Sequence, residues 1–185
     1  MTLYLRLALI LLFSRFKPLR SPFEPTLTKF RVWPSDLDFL GHMTNSRYFT
    51  VMDAGRTDMI ARAGLLGKLR TNGWYPVVVE ESMQFRRSLN PFERFELKTQ
   101  ITGYDERHMV IRQTFLRDDE VVALGVVRAR FLGPKGRRVT PQEVMALADV
   151  DEEVPPAVSF AEEEQLSYQY HRQLIEEEAA HLVAS

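Results

Sequence analysis

The chemistry-bearing side chains of this sequence crowd into one short stretch, Ser35-Asp36-Leu37-Asp38-Phe39-Leu40-Gly41-His42-Met43-Thr44-Asn45. It stands where a strand pattern ends and a long helical pattern begins. Amides at a helix start point outward and carry partial positive charge, so they can hold a developing oxyanion. A carboxylate beside them can serve as a base or a nucleophile on an acyl carbon. Asp38 is the carboxylate placed for that work, with a turn-capping role as its alternative. Asp36 reads as a solvated acid at the strand end. His42 either fixes the loop or works near the reacting group. Gly41 permits a tight turn, which is compatible with contact to substrate. Asn45 reads as a helix cap that can also orient Asp38 or a water.

The elements around this loop follow from periodicity. Residues 28–38 alternate as a strand. From Asn45 to about Ala63 the apolar steps of three and four predict a helix, with Asn45 or Ser46 as its cap and Gly64 as its stop. Ala54 and Gly55 would let that helix approach a neighbour closely. Four strand signals follow, the first over 77–88 and the others centred on Phe95–Ile101, Met109–Phe115 and Val121–Phe131. The joins Asp105-Glu106 and Asp118-Asp119 are short and polar, which predicts hairpins and an antiparallel meander. Glu80 and Glu81 fall on opposite faces of one strand. A brief helix is expected over 141–148 and a polar helix beyond it.

Charge is divided unevenly along the 185 residues. The net charge is −1, yet residues 1–31 carry +5 and residues 142–185 carry −10. The near-neutral total argues against a nucleic-acid binder. The basic head holds an unbroken apolar run from Leu7 to Phe13, interrupted upstream by Arg6 and followed by Arg15, Lys17 and Arg20. A spanning helix needs ~20 apolar residues, and no Ala-x-Ala pattern follows. Three readings stand for residues 3–16: a helix packed on protein, a foot in the membrane surface, or an anchor or signal.

Absences narrow the chemistry. There is no cysteine, which removes disulfides, thiolate nucleophiles and Cys-ligated metals. Gly-x-Ser-x-Gly, Gly-x-Gly-x-x-Gly, Walker-type and His-Glu-x-x-His patterns are missing as well. A hydrolase without metal or cofactor is what remains among enzymes.

Asp36-Leu37-Asp38, Gly41-His42-Met43-Thr44-Asn45 and Tyr48 together resemble the Asp-x-Asp-x-x-Gly-His-Val-Asn-Asn-x-x-Tyr signature of the 4-hydroxybenzoyl-CoA thioesterase family. Within that family the chain looks most like the thioesterase superfamily member six group, which shares an apolar leader and segments resembling Arg86-Arg87-Ser88-Leu89 and Tyr104-Asp105-Glu106-Arg107. The resemblance implies an α+β hot-dog fold, an antiparallel sheet wrapped around one long helix, here with an extra N-terminal apolar helix and a C-terminal polar helix. It implies hydrolysis of a fatty or aryl acyl-CoA by a homodimer or homotetramer with sites at subunit interfaces. Coenzyme A enters as part of the substrate, and no separate cofactor is expected.

Carried over by residue, the family's catalytic carboxylate corresponds to Asp38 and its closing asparagine to Asn45, with His42 beside them. Thr44 departs from the pattern, since the family has Asn there. Gly41, Thr44 and Tyr48 are expected to contact substrate. Arg137 and Arg138, from the basic cluster after the fourth strand signal, are expected to attract the coenzyme A phosphates; a solvated edge is their alternative. The expected organisation is an apolar arm and linker over 1–25, the catalytic domain over 26–141 and an acidic helical extension over 142–185. A cytoplasmic protein, with membrane association through residues 3–16 as a variant, fits these features. The alternative function is a non-catalytic scaffold that binds acyl groups or lipid.

Overall fold

The structure is a computed structural model that describes residues 3–14 and 18–148. The expected polar helix beyond residue 148 lies outside the described residues. A helix α1 (Leu3–Ser14) and strand β1 (Thr26–Arg31) come first, then the long helix α2 (Asn45–Arg62) and a short α3 (Leu65–Asn72). Strands β2 (Tyr75–Phe85), β3 (Arg94–Tyr104), β4 (Met109–Arg117) and β5 (Glu120–Leu132) follow, with a two-residue β6 (Arg138–Val139) and a final α4 (Pro141–Leu147).

The sheet is antiparallel in the order β1-β3-β4-β5-β2, with β6 paired to the end of β5. Alternation in β3 turns Phe95, Leu97, Thr99 and Ile101 inward. The β4–β5 hairpin closes on Asp118 and Asp119, both with positive φ, the turn geometry that matches strand twist and that Asp tolerates. Helix α2 buries Tyr48, Val51, Met52, Ala54 and Met59 against the sheet. At Gly55 an added Cβ would stand 2.5 Å from Leu97 Cδ2 and 2.8 Å from Thr99 Oγ1, so only glycine allows this approach.

Several boundaries move from their expected places. Residues 28–38 are not one strand: β1 ends at Arg31 and Pro34–Asp36 form a 3₁₀ turn. Pro34 has no amide to donate to a ladder and suits the first position of such a turn. Thr44, extended and with no side-chain bond, precedes α2, so Asn45 is its first helical residue and not its cap. Gly64 does stop α2, in the left-handed region at φ 68°, and α3 then starts, which periodicity missed. The meander covers only β3, β4 and β5. Strand β2 instead crosses to the far side of β5 and forms the edge, with its other side unpaired among the described residues.

The core also reaches past the expected domain limits of 26–141. Ile10 of α1 packs into it from one end, and Val144 and Met145 of α4 from the other.

Candidate active site

Asp36 and Asp38 are two residues apart in opposite environments. The Asp36 side chain is 1% exposed and forms an ion pair with Arg6 of α1, itself 3% exposed. Asp36 Oδ2 also accepts from the Trp33 amide at 2.9 Å, and Arg47 Nε lies 3.8 Å from its other oxygen. The reading of Asp36 as a solvated acid is therefore corrected: it is the buried post of the loop. Its carbonyl accepts from the Thr44 amide at 2.9 Å, which ties the loop's end to its beginning.

Asp38 is exposed and held from below. Its Oδ1 accepts from the Leu40 amide at 2.9 Å and the His42 amide at 3.2 Å. Its own amide donates to the His42 carbonyl at 2.8 Å. Gly41, at φ 78°, turns the chain between them. Two amides on one oxygen fix the carboxylate's orientation, and its second oxygen accepts no hydrogen bond among the described residues. His42 thus acts on Asp38 through its backbone, while its half-buried ring forms no hydrogen bond among the described residues.

The amides of Gly41, His42, Met43 and Thr44 are all committed, to Asp38, Leu89 and Asp36. The first amides of α2, at Asn45 and Ser46, make no such bond among the described residues. These two amides could donate to an anionic oxygen placed at the helix start.

Beside this helix start lies a cavity of about 240 Å³ whose lining includes Met43, Asn45, Tyr48, Phe85, Arg86 and Arg87. Tyr48 is buried, its ring 5.1 Å from Phe85 and 5.0 Å from Phe115. Burial pushes its hydroxyl pKa up, and a hydrogen bond with the Leu89 backbone opposes that. Asn45 and Tyr48 therefore meet at one cavity; Thr44 borders it in sequence without lining it. Arg86 and Arg87 were not singled out as site residues, although Arg86-Arg87-Ser88-Leu89 is among the segments that carry the resemblance. Arg87 pairs with Glu120 at 2.6 Å.

Arg137 and Arg138 lie elsewhere. Arg137 pairs with Glu143 and stands 5.8 Å over the Trp74 ring, and Arg138 is exposed in β6. Strand β6 joins β5 at Phe131 and Leu132, opposite Tyr75 at the start of β2. The signature loop meets Leu89, just beyond the other end of β2. The 11 residues of β2 amount to about 30 Å of strand, so within one chain these arginines do not reach Asp38.

A second polar cluster lies midway along α2. Arg56 is buried, donates to Gln113 Oε1 at 2.8 Å and pairs with Glu81 at 2.6 Å and with Asp53. Glu81 is the inward member of its pair, while Glu80 pairs with Arg128 at 3.5 Å. Burial raises the Glu81 pKa, and attraction to Arg56 opposes the rise. Beyond it an apolar cavity of about 180 Å³ runs between the second half of α2, the sheet and α4. Among the described residues no group of His, Asp and Glu is arranged to hold a metal ion.

Comparison with known proteins agrees with the sheet. Protein THEM6 of Xenopus laevis is 33% identical over 133 residues, 70% of this chain and 64% of that protein. Its namesake in Danio rerio is 32% identical over 113 residues, 61% of this chain and 56% of that protein. The chain thus spans less than two thirds of the length of these relatives. Among solved structures, the probable thioesterase YbaW of Escherichia coli superposes with a TM-score of 0.61 at 17% identity, covering 66% of this chain and 94% of that one. A 4-hydroxybenzoyl CoA thioesterase superposes with a TM-score of 0.62 at 16% identity, covering 67% and 98%. At such identities these two show the hot-dog fold alone. The family itself is shown by a match over residues 32–157, well over half of the sequence, and the chain belongs to the thioesterase-like superfamily.

Proposed function

We propose that this protein hydrolyses acyl-CoA thioesters, fatty or aryl, with Asp38 as general base or nucleophile. The observation that carries the reading is the exposed Asp38 carboxylate, oriented by the Leu40 and His42 amides beside a helix start with two uncommitted amides. In the general-base form, Asp38 takes a proton from water as the water oxygen bonds to the thioester carbon. The oxyanion that forms faces the Asn45 and Ser46 amides. It collapses with loss of the coenzyme A thiolate, which takes the proton from Asp38, leaving a carboxylic acid and free thiol. Arg86 and Arg87 supply positive charge at the cavity for the coenzyme's phosphates.

The edge of β2, unpaired among the described residues, supports assembly. An exposed, unprotected strand edge is a template for a second chain, and a two-fold axis there makes a closed dimer by antiparallel β2–β2 pairing. Such pairing would set the Arg137–Arg138 end of one copy beside the Phe85–Arg86 end of the other, which reconciles those arginines with a phosphate-binding role.

The test is thiol release across an acyl-CoA panel that varies chain length and includes aryl substrates. The enzyme releases thiol from some members of the panel. A protein that binds acyl-CoA with no release above the uncatalysed rate is the non-catalytic scaffold instead. Mixing Asp38→Asn chains with Arg137→Glu/Arg138→Glu chains tests the shared site, because hybrid dimers keep one intact site and recover activity that neither parent shows.

A further inference from the structure

Helix α1 is apolar all round except at Arg6 and Ser14. Its inner stripe, Arg6, Ile10 and Ser14, is buried at helical spacing against the body. The buried pair between Arg6 and Asp36 fixes the roll of the helix, so the fold itself decides which residues look outward. Those residues are Tyr4 at 83% exposure, Leu5, Leu9, Leu12 at 52% and Phe13 at 56%. Surface helices ordinarily put polar residues on that side, and a helix apolar all round is normally covered all round. Among the described residues nothing covers it.

Next to this stripe an open groove of about 760 Å³ runs between α1 and the β1–β3 edge of the sheet. Leu9, Phe13, Leu27, Lys29, Arg31 and Arg94 are among its lining residues. In the strand register Arg31 stands directly opposite Arg94. Like charges placed opposite one another weaken an antiparallel pair. Lys29 has exposed Glu96 at 3.6 Å, but neither arginine has a carboxylate within ion-pair distance among the described residues. An apolar stripe beside a pair of uncompensated cations is complementary to an amphiphilic surface with anionic heads.

We propose that this face seats the protein on an anionic lipid bilayer. In this arrangement α1 lies in the plane of the interface, with Leu5, Leu9, Leu12 and Phe13 entering the acyl boundary and Arg31 and Arg94 meeting headgroup phosphates. Twelve residues are too few to cross a hydrocarbon core, which takes ~20, and among the described residues no helix is long and apolar enough to do so. A second copy of the same face is disfavoured as the occupant, because an isologous contact would bring two arginine pairs together. Packing on the body and contact with membrane, opposed as alternatives in the sequence, are assigned to opposite sides of one helix. The proposal does not depend on thioester hydrolysis.

Co-sedimentation of the full chain with vesicles tests it, comparing phosphatidylcholine–phosphatidylserine mixtures with phosphatidylcholine alone. The expected result is pelleting on the anionic vesicles and little on the neutral ones. Leu12→Glu/Phe13→Glu should abolish pelleting. Arg31→Gln/Arg94→Gln should lower partitioning about twenty-five-fold, at roughly fivefold per cation. Melting curves for both double variants should match the parent, since Leu12, Phe13 and Arg94 are exposed and half-buried Arg31 has no carboxylate partner among the described residues, and their thiol release without lipid should be unchanged. The proposal is overturned if the parent protein stays in the supernatant, if it pellets equally on neutral vesicles, or if folded variants pellet like the parent. It is equally overturned if Leu12→Glu/Phe13→Glu dissociates an oligomer without changing sedimentation, which would make a second copy the occupant.

Discussion

Arg6 and Asp36, thirty residues apart in sequence, form an ion pair from which water is almost wholly excluded. The pair joins the leader helix to the loop that carries Asp38. Removing one partner of a buried pair leaves an uncompensated charge and typically costs about 3–5 kcal/mol. Arg6→Met should therefore lower the melting temperature by about 10 °C, at 2–4 °C per kcal/mol for a chain of this size. Arg6→Met/Asp36→Asn should recover part of the loss, because the buried charge is gone and an amide oxygen can still accept from Trp33. Equal melting of Arg6→Met and the parent would show that α1 does not hold the loop.

Asp38 is the residue on which catalysis is predicted to depend. Asp38→Asn keeps an acceptor for the Leu40 and His42 amides, so the loop should persist and the melting temperature should barely move. The value of kcat should fall by roughly a hundredfold or more, on the order of 3 kcal/mol of transition-state stabilisation. Turnover that survives in the folded variant would assign the base to another residue.

Glu81 predicts a particular pH dependence. Burial raises its pKa in the fold, against the attraction of Arg56. A carboxyl with a raised folded pKa contributes stability fully below its unfolded pKa, and that contribution is lost as pH rises through the folded value. Glu81→Gln should therefore gain stability relative to the parent as pH is raised from about 4 towards neutrality, an approximate window that starts near the ordinary glutamate pKa. Urea midpoints measured across that range check it, and a constant difference between the two proteins would contradict it.

Gly55 sets how closely α2 approaches the sheet. Gly55→Ala would gain roughly 1 kcal/mol of helix propensity but force its methyl onto Leu97 and Thr99. Overpacking of that kind costs about 1–3 kcal/mol, so a net loss of up to about 2 kcal/mol is expected in denaturant unfolding. A more stable variant would mean that β3 yields to the helix.

Much of the local architecture was legible. The alternation of Phe95, Leu97, Thr99 and Ile101 marked β3, the spacing from Asn45 marked α2, and Gly64 marked its end, each because a period or a conformational preference acts within a few residues. The signature loop was legible in the same way, since Asp38, Gly41 and His42 meet through backbone bonds spanning four residues at most. The strand order was not. Nothing local to 75–85 says that β2 passes over to the far side of β5, because that choice depends on which sheet edge closes best over α2.

The sequence by itself determined the kind of the long elements and the spacing of the motif around Asp38, because hydrophobic period, turn residues and motif spacing are properties of short segments. Only the tertiary structure decided that Asp36 is buried, that Arg6 reaches across to neutralise it, and that Arg137 lies a strand's length from the loop. Burial and charge pairing are properties of surroundings assembled from distant segments. Asp36 and Asp38 carry the same side chain two positions apart, and the ion pair that makes one a buried post comes from a helix thirty residues away, while the other stays exposed with local amides as its partners.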